Sequence, residues 1–211
     1  MPHLALLGDS ILDNARYTGG GPSVVDHVRA ILPEGWSASL AAVDGSTTYD
    51  IPAQLKKLPP ETTHLAMSIG GNNALLRVDL LDVPVQSSGQ ALLLLYDALE
   101  EFEASYLLAV HACLARALPL VTCTIYNGNF DDLSQKQRLK VALAAYNDVI
   151  VRVGSEHGLT IVDLRAICNA PVDYANPIEP SSTGGAKIAY ALVGAVTGCG
   201  APRSVGRLCT G

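Results

Sequence analysis

Five short apolar runs alternate along this chain with longer segments of helical periodicity, and this alternation constrains the fold more than any other feature. Each run is bounded by turn residues and is too short for an independent helix, as is typical of a buried strand. Strands that alternate with helices predict an α/β fold, doubly wound, with a five-stranded parallel sheet flanked by helices in three layers. The predicted strands begin near His3, Trp36, His64, Pro119 and Leu159.

Helices are predicted over residues 24–32, 51–58, 89–118, 134–156 and 186–196. The longest of them, 89–118, is apolar on more than one side, which indicates a well-buried helix. The chain has no internal repeat and no segment with the composition of a linker. We therefore expect one domain that spans residues 1–211.

Polar turns that contain glycine follow three of the predicted strands. They are Gly8-Asp9-Ser10, Asp44-Gly45-Ser46 and Gly70-Gly71-Asn72. The carboxyl ends of parallel strands meet at one edge of the sheet, where ligands bind in such folds. Ser10 alone is better explained as a turn or N-cap residue. Three such turns at one edge instead indicate a binding or catalytic site.

Composition excludes several classes of partner. The formal net charge of −6 and the 5% aromatic content argue against nucleic acid and anionic membrane surfaces. The uncharged stretches are too short to span a bilayer, and no basic leader precedes the first apolar run. A small molecule is the expected partner, and the sequence does not indicate an oligomeric state.

The five cysteines are odd in number and form no C-x-x-C pattern, so the sequence predicts a reduced, cytoplasmic protein without a metal or other cofactor. The sequence leaves undecided whether Cys199 and Cys209 in the C-terminal tail form a disulfide.

The three polar turns resemble the motif blocks of the SGNH (GDSL) hydrolase family. Gly8-Asp9-Ser10 matches the nucleophile block, Gly45 the glycine of the second block, and Gly70-Gly71-Asn72 the third. The resemblance extends from Leu4 to about Val196. It implies the flavodoxin-like fold of that family and a serine esterase or lipase that acts on acyl esters, with short-chain carboxylic or acetyl esters as the expected substrates.

The resemblance also implies roles for single residues. Ser10 would be the nucleophile, and the backbone N–H groups of Ser10 and Gly45 would form an oxyanion hole with the side-chain amide of Asn72. Such preorganised donors stabilise the charge that develops when a hydroxyl attacks an ester. Asn73 stands where the family usually has an aspartate, and we expect it still to hold its loop.

The last block of the family, an aspartate followed three residues later by a histidine, is altered in this chain. One alignment register places Asp173 at the position of the family's aspartate and Asn176 at the position of its histidine. The other places Asn176 on the aspartate and Glu179 on the histidine, and it also aligns Gly184 and a final helix beginning at Ala186. The second register fits more of the pattern, but neither contains a histidine.

Glu179 is therefore the expected general base, with Asp173 as the fallback base or a supporting partner. A glutamate is intrinsically less basic than a histidine, with a pKa of about 4.3 against about 6.5, but burial can raise the pKa of a carboxyl. The chain has five histidines, which we expect to be structural or solvated because none falls at the carboxyl end of a predicted strand: His3, His27, His64, His111 and His157.

Two other hypotheses follow from the missing histidine. The first is a binding protein that has the hydrolase fold but impaired catalysis. The second is a metal-dependent enzyme that uses Asp9, Asp13, Asp173 and Glu179, although no histidine or cysteine accompanies these acids at ligand spacing.

Overall fold

The computed structural model describes residues 1–198 and the backbone of residues 205–206. It contains a six-stranded sheet of order β2-β1-β3-β4-β5-β6. The first five strands are parallel, and the last is antiparallel to its neighbour. The strands are β1 His3–Gly8, β2 Ser37–Leu40, β3 His64–Ser68, β4 Leu120–Cys123, β5 Thr160–Val162 and β6 Val205–Gly206.

The doubly wound α/β fold with five parallel strands is thus confirmed, and the strand order is that of flavodoxin-like proteins. The sequence did not indicate the short sixth strand. The α-helices of the described residues are α1 Val24–Ile31, α2 Ile51–Leu55, α3 Gly71–Leu75, α4 Ser88–Leu114, α5 Leu133–Glu156, α6 Leu164–Ile167 and α7 Ser182–Thr197.

Helices cover both faces of the sheet and enclose two apolar clusters. Leu4 and Leu6 of β1 belong to the cluster under α1 and α7, whereas Ala5 and Leu7 belong to the cluster under α2, α4 and α5. Successive side chains of a strand point to opposite faces, so a strand that is covered on both faces must be apolar at every position. This explains the uninterrupted apolar run at the start of the chain.

The prediction that residues 89–118 form a well-buried helix was wrong for the first turns of α4. Leu92, Leu93 and Tyr96 are 66%, 64% and 55% exposed, and the buried residues of α4 all lie between Ala98 and Cys113. A helix of 27 residues is about 40 Å long. A strand of six residues extends only about 20 Å, so the sheet supports only part of α4.

The final helix begins at Ser182, earlier than the predicted Ala186. Ser181 is its N-cap, and the Ser181 hydroxyl accepts a hydrogen bond of 3.2 Å from the N–H of Gly184. A capping serine three residues before a glycine permits a helix to start within the Gly-rich stretch.

Cys113, Cys123 and Cys168 are free and buried, and burial raises the pKa of Cys113 to about 12. Cys199 and Cys209 lie outside the described residues. No helix in the described part of the chain is long and apolar enough to cross a membrane.

Candidate active site

The turn that carries Ser10 is fixed by the backbone of Gly8. Gly8 has φ +138°, and a Cβ at this position would lie 1.8 Å from the carbonyl oxygen of Ser68 on β3. Only glycine fits this close approach. β1 therefore ends at Gly8, and the chain turns there to present Ser10.

Gln54 of α2 secures the same turn from the other side. Its Oε1 accepts a hydrogen bond of 2.8 Å from the Gly8 N–H, and its Nε2 donates a bond of 2.7 Å to the Gly8 carbonyl. The paired residues of β2 end at Leu40, opposite Leu6. The Gly8 carbonyl also accepts a bond of 3.1 Å from the Val43 N–H, so the partner that Gln54 supplies is above all that of the Gly8 N–H. The sequence reasoning missed Gln54, because nothing local distinguishes it from any other helical glutamine.

Ser10 lies beside Glu179, and both side chains are buried, at 7% and 6% exposed. The Ser10 hydroxyl is close enough to the Glu179 carboxyl to lower its pKa by hydrogen bonding. Burial acts in the opposite direction and more strongly, so the pKa of Glu179 is raised overall, with a further contribution from the charge of Asp44. The Oε2 atom of Glu179 is buried and has no hydrogen-bond partner within the described residues.

The segment before Glu179 is held by its own side chains and by the chain that follows β4. Asn176 Oδ1 accepts hydrogen bonds from the N–H groups of Ile178 and Glu179, at 3.0 and 2.9 Å. Tyr126 donates its hydroxyl to the Ile178 carbonyl at 2.6 Å, and the Glu179 carbonyl accepts a bond from the Ala175 N–H at 2.9 Å. Asn176 therefore shapes the turn that presents Glu179.

Asn14 connects the serine loop to the glutamate loop. It is fully buried; its Nδ2 donates to the Pro180 carbonyl at 3.2 Å, and its Oδ1 accepts from the Val24 N–H at 2.8 Å. The sequence reasoning missed this role, although Asn14 closes the first motif stretch and an asparagine after a turn is a signal for such a bridge.

The expected oxyanion donors stand in three turns, and those of Gly45 and Asn72 are in direct contact. Asn72 Nδ2 donates to the Ser46 carbonyl at 2.8 Å, which places the Asn72 amide beside the turn at Gly45, where φ is +83°. Among the described residues, the backbone N–H groups of Ser10 and Gly45 donate to no other protein group. These donors are thus available to a bound substrate.

Asn73 joins the same two turns. Its Oδ1 accepts from the Thr48 N–H at 3.1 Å, and its Nδ2 donates to the Thr48 hydroxyl at 2.9 Å. The expectation that this asparagine holds its loop agrees with the geometry.

Asp173 is separate from Ser10. Its carboxylate is fully buried, lies 2.7 Å from the ammonium of Lys187, and accepts hydrogen bonds from the N–H groups of Asn169 and Ala170. These contacts hold the loop after β5 against α7. Asp173 does not line the cavity that contains Ser10, and its role as a fallback base or supporting partner stays a prediction.

Two of the four acids considered for a metal site, Asp13 and Asp173, are engaged by other protein groups. Asp13 accepts a bond from the Asp44 N–H at 3.0 Å, and Asp173 pairs with Lys187. Within residues 1–198, no group of three or more histidine, cysteine, aspartate or glutamate side chains is arranged to hold a metal ion.

The histidines lie elsewhere. The ring of His3 contacts the hydroxyls of Ser37 and Ser39, His111 and His157 contact each other at 3.1 Å, and His27 contacts Ser182. No histidine lines the cavity described next.

Ser10, Asn72 and Glu179 lie on the wall of a cavity of about 510 Å³, the site cavity. Apart from these residues and a few other polar ones, its wall consists mainly of apolar side chains from α4, α5 and the segment Val78–Asp82.

Asp9 is a second carboxyl on this wall. It is 1% exposed, its Oδ1 accepts a bond of 3.1 Å from the Ile11 N–H, and its Oδ2 is buried without a partner among the described residues. Burial raises the pKa of Asp9 to about 7, against the effect of the Ile11 hydrogen bond, and the charge of Glu179 contributes to the rise.

Comparison with known proteins gives a family match and several structural relatives. The family model of GDSL-like lipases and acylhydrolases matches residues 6–184. The fold is similar to that of an extracellular lipase from Streptomyces rimosus, at 18% identity and TM-score 0.64, covering 92% of this chain and 97% of the lipase. It is also similar to a phospholipase A1 from Streptomyces albidoflavus, at 17% identity and TM-score 0.60, covering 91% and 97%. The acetylxylan esterase Axe2 from Geobacillus stearothermophilus matches at 21% identity and TM-score 0.63, covering 90% and 92%. No curated protein sequence matches the chain.

Proposed function

Because this chain belongs to the GDSL-like lipase/acylhydrolase family and is a carboxylic ester hydrolase, we propose that it cleaves acyl esters through an acyl-enzyme on Ser10, with Glu179 as the general base. The observation that carries the proposal is that the buried side chains of Ser10 and Glu179 line the same cavity beside Asn72, where the Ser10 hydroxyl lowers the pKa of the Glu179 carboxyl. A nucleophile within hydrogen-bond reach of a base is the arrangement that covalent catalysis requires.

The reaction proceeds in two halves. The Glu179 carboxylate accepts the proton of Ser10 while Oγ attacks the ester carbonyl, and the N–H groups of Ser10 and Gly45 with the Asn72 amide stabilise the oxyanion. When the tetrahedral intermediate collapses, the C–O bond to the alcohol breaks and Glu179 returns the proton to the leaving oxygen. A water molecule then attacks the acyl-enzyme with the same base, which releases the acid and restores Ser10.

A carboxylate suffices as base because its surroundings make it more basic. Burial raises the pKa of Glu179, and a general base works best when its pKa approaches the operating pH. Since the base acts in its ionised form, activity should rise with pH through the raised pKa of Glu179.

The test is hydrolysis of p-nitrophenyl acetate and butyrate from pH 5 to pH 9 by the wild type and four variants. We expect Ser10→Ala and Glu179→Gln to lower kcat by roughly 100- to 10,000-fold, the usual contribution of a general base. Glu34→Gln, the same substitution at an exposed glutamate, should leave kcat unchanged. Glu179→His should recover part of the activity and move the acid limb of the pH profile toward about pH 6.5.

Each variant separates one assignment. Glu179→Gln with wild-type kcat would contradict the base but not the nucleophile. Hydrolysis that persists in Ser10→Ala would contradict the acyl-enzyme. If the wild type shows no turnover that depends on Ser10, the result supports the alternative of an impaired binding protein with this fold.

A further inference from the structure

The site cavity is much larger than a small acyl group needs. Its volume of about 510 Å³ lies in the range of roughly 300–1,000 Å³ that holds a whole small-molecule ligand. One end of it contains the polar groups of Ser10, Asn72 and Glu179. The remainder continues between α4, α5 and the segment Val78–Asp82, along apolar residues that include Leu80, Leu95 and Phe130.

The wall offers no free charge to a polar ligand beyond the catalytic end. Two arginines line it, and both are ion-paired: Arg77 with Glu101 at 2.6 Å and Arg138 with Asp82 at 2.7 Å. An apolar wall with neutralised cations favours an uncharged, apolar ligand over an anionic or polyhydroxylated one.

The position of Glu179 indicates which part of an ester occupies the cavity. The leaving alcohol must lie beside Glu179, because this residue returns the proton to the alcohol oxygen. Tyr17 and Asp44 act electrostatically with Glu179 but do not line the cavity. Their polar side chains are joined by a hydrogen bond of 2.9 Å outside the cavity; we assign the alcohol to that side of Glu179 and the cavity to the acyl part.

We propose that the site cavity binds the acyl chain of the substrate and that the enzyme prefers esters of medium-length apolar acids, hexanoyl to decanoyl, over acetyl esters. This inference rests on the proposed function and refines the expectation of short-chain or acetyl substrates. An acetyl group would leave most of the apolar wall in contact with water, whereas a longer chain covers it and gains about twofold to fourfold in affinity for each methylene buried.

Ala142 of α5 is a specificity-determining position in this proposal. It lines the cavity and is half-buried, so a larger side chain there would occupy space that the acyl chain needs. Ala144, on the same helix, is exposed and does not line the cavity. The substitutions Ala142→Phe and Ala144→Phe therefore form a matched pair.

The experiment measures kcat/KM for p-nitrophenyl esters from acetyl to decanoyl, which share one leaving group. We expect kcat/KM of the wild type to rise with chain length by about twofold to fourfold per methylene. Ala142→Phe should lower kcat/KM for the octanoyl ester at least tenfold and for the acetyl ester less than twofold. Ala144→Phe should change neither.

A binding measurement keeps the inference independent of catalysis. In Ser10→Ala, 1-octanol should raise the melting temperature more than 1-butanol at equal concentration, since a ligand that binds only the folded state stabilises it. The double variant with Ala142→Phe should lose this difference.

The two proposals fail in different ways. Hydrolysis that depends on Ser10 but does not increase from acetyl to octanoyl, or an equal loss for both esters in Ala142→Phe, overturns the acyl cavity and leaves the hydrolase intact. Octanol stabilisation without any turnover supports the cavity and contradicts the catalytic assignment.

Discussion

Replacing Asp9 with asparagine measures how much the second buried carboxyl of the site lowers the free energy of unfolding of the protein. Asp9 is 1% exposed and one of its oxygens has no partner among the described residues, and burial raises its pKa to about 7. In the unfolded chain the pKa of an aspartate is about 3.9. The folded protein therefore binds more protons than the unfolded chain between these two pH values.

The sign and size of the effect follow from this difference. When the folded state has the higher pKa, the free energy of unfolding falls as pH rises through the interval, here from about 4 to about 7, and changes no further above it. A shift of about three pKa units corresponds to about 4 kcal/mol that the folded state loses at pH 8. About 3 kcal/mol of this loss falls between pH 5 and pH 8.

Urea unfolding at pH 5 and pH 8 tests this prediction. The asparagine amide does not ionise. The difference in free energy of unfolding between Asp9→Asn and the wild type should therefore shift by about 3 kcal/mol in favour of the variant from pH 5 to pH 8. Any constant effect of the amide cancels in the comparison. Asp131→Asn, at an exposed loop position, serves as the control and should follow the wild type. Equal pH dependence in Asp9→Asn and the wild type would refute the reasoning that burial of this carboxyl limits stability.

Three further predictions concern the residues that support the site. Gln54→Leu should lower the free energy of unfolding by about 1–3 kcal/mol, because the buried Gly8 N–H loses its partner while the Gly8 carbonyl keeps the Val43 N–H; an unchanged urea midpoint would contradict this. Asn176→Ala should lower kcat about tenfold with little change in the melting temperature, because two hydrogen bonds that orient Glu179 are lost; wild-type kcat would show that they are dispensable. Lys187→Met should lower the free energy of unfolding by about 1–3 kcal/mol, since it leaves the Asp173 carboxylate buried without its half-exposed partner, and should leave kcat intact; a selective loss of kcat would instead place Asp173 in catalysis.

The sheet could be predicted because its physical requirements appear directly in the sequence. A strand buried on both faces must be apolar throughout, as the run from Leu4 to Leu7 is, and a parallel connection needs a helix between strands. The polar turns at Ser10, Gly45 and Asn72 follow three strands that lie next to one another in the order β2-β1-β3. The sequence therefore indicated not only the strands but also the edge at which the site would form.

The supporting contacts could not be predicted, because each depends on the distance between segments remote in sequence. Gln54 bonds Gly8 across 46 positions, and Asn14 bonds Pro180 across 166. The hydrophobicity of α4 was misleading for a related reason. The same apolar pattern is found in a helix that is buried in a core and in a helix that lines a cavity. Only a comparison of the helix length with the length of the strands distinguishes the two.

The apolar cavity and the proposed carboxylate base depend on one arrangement. A glutamate in open water is a poor base for a serine, since its pKa lies about two units below that of a histidine. Glu179 stands at the end of a cavity whose wall is mainly apolar, and burial is the largest influence that raises its pKa. An acyl chain in that cavity would displace water from the same wall and desolvate the carboxylate further, which strengthens the base in the complex in which it must act. A histidine would gain nothing from such surroundings, because desolvation disfavours its charged form and lowers its pKa. The proposed apolar acyl site would therefore suit the proposed carboxylate base better than an imidazole.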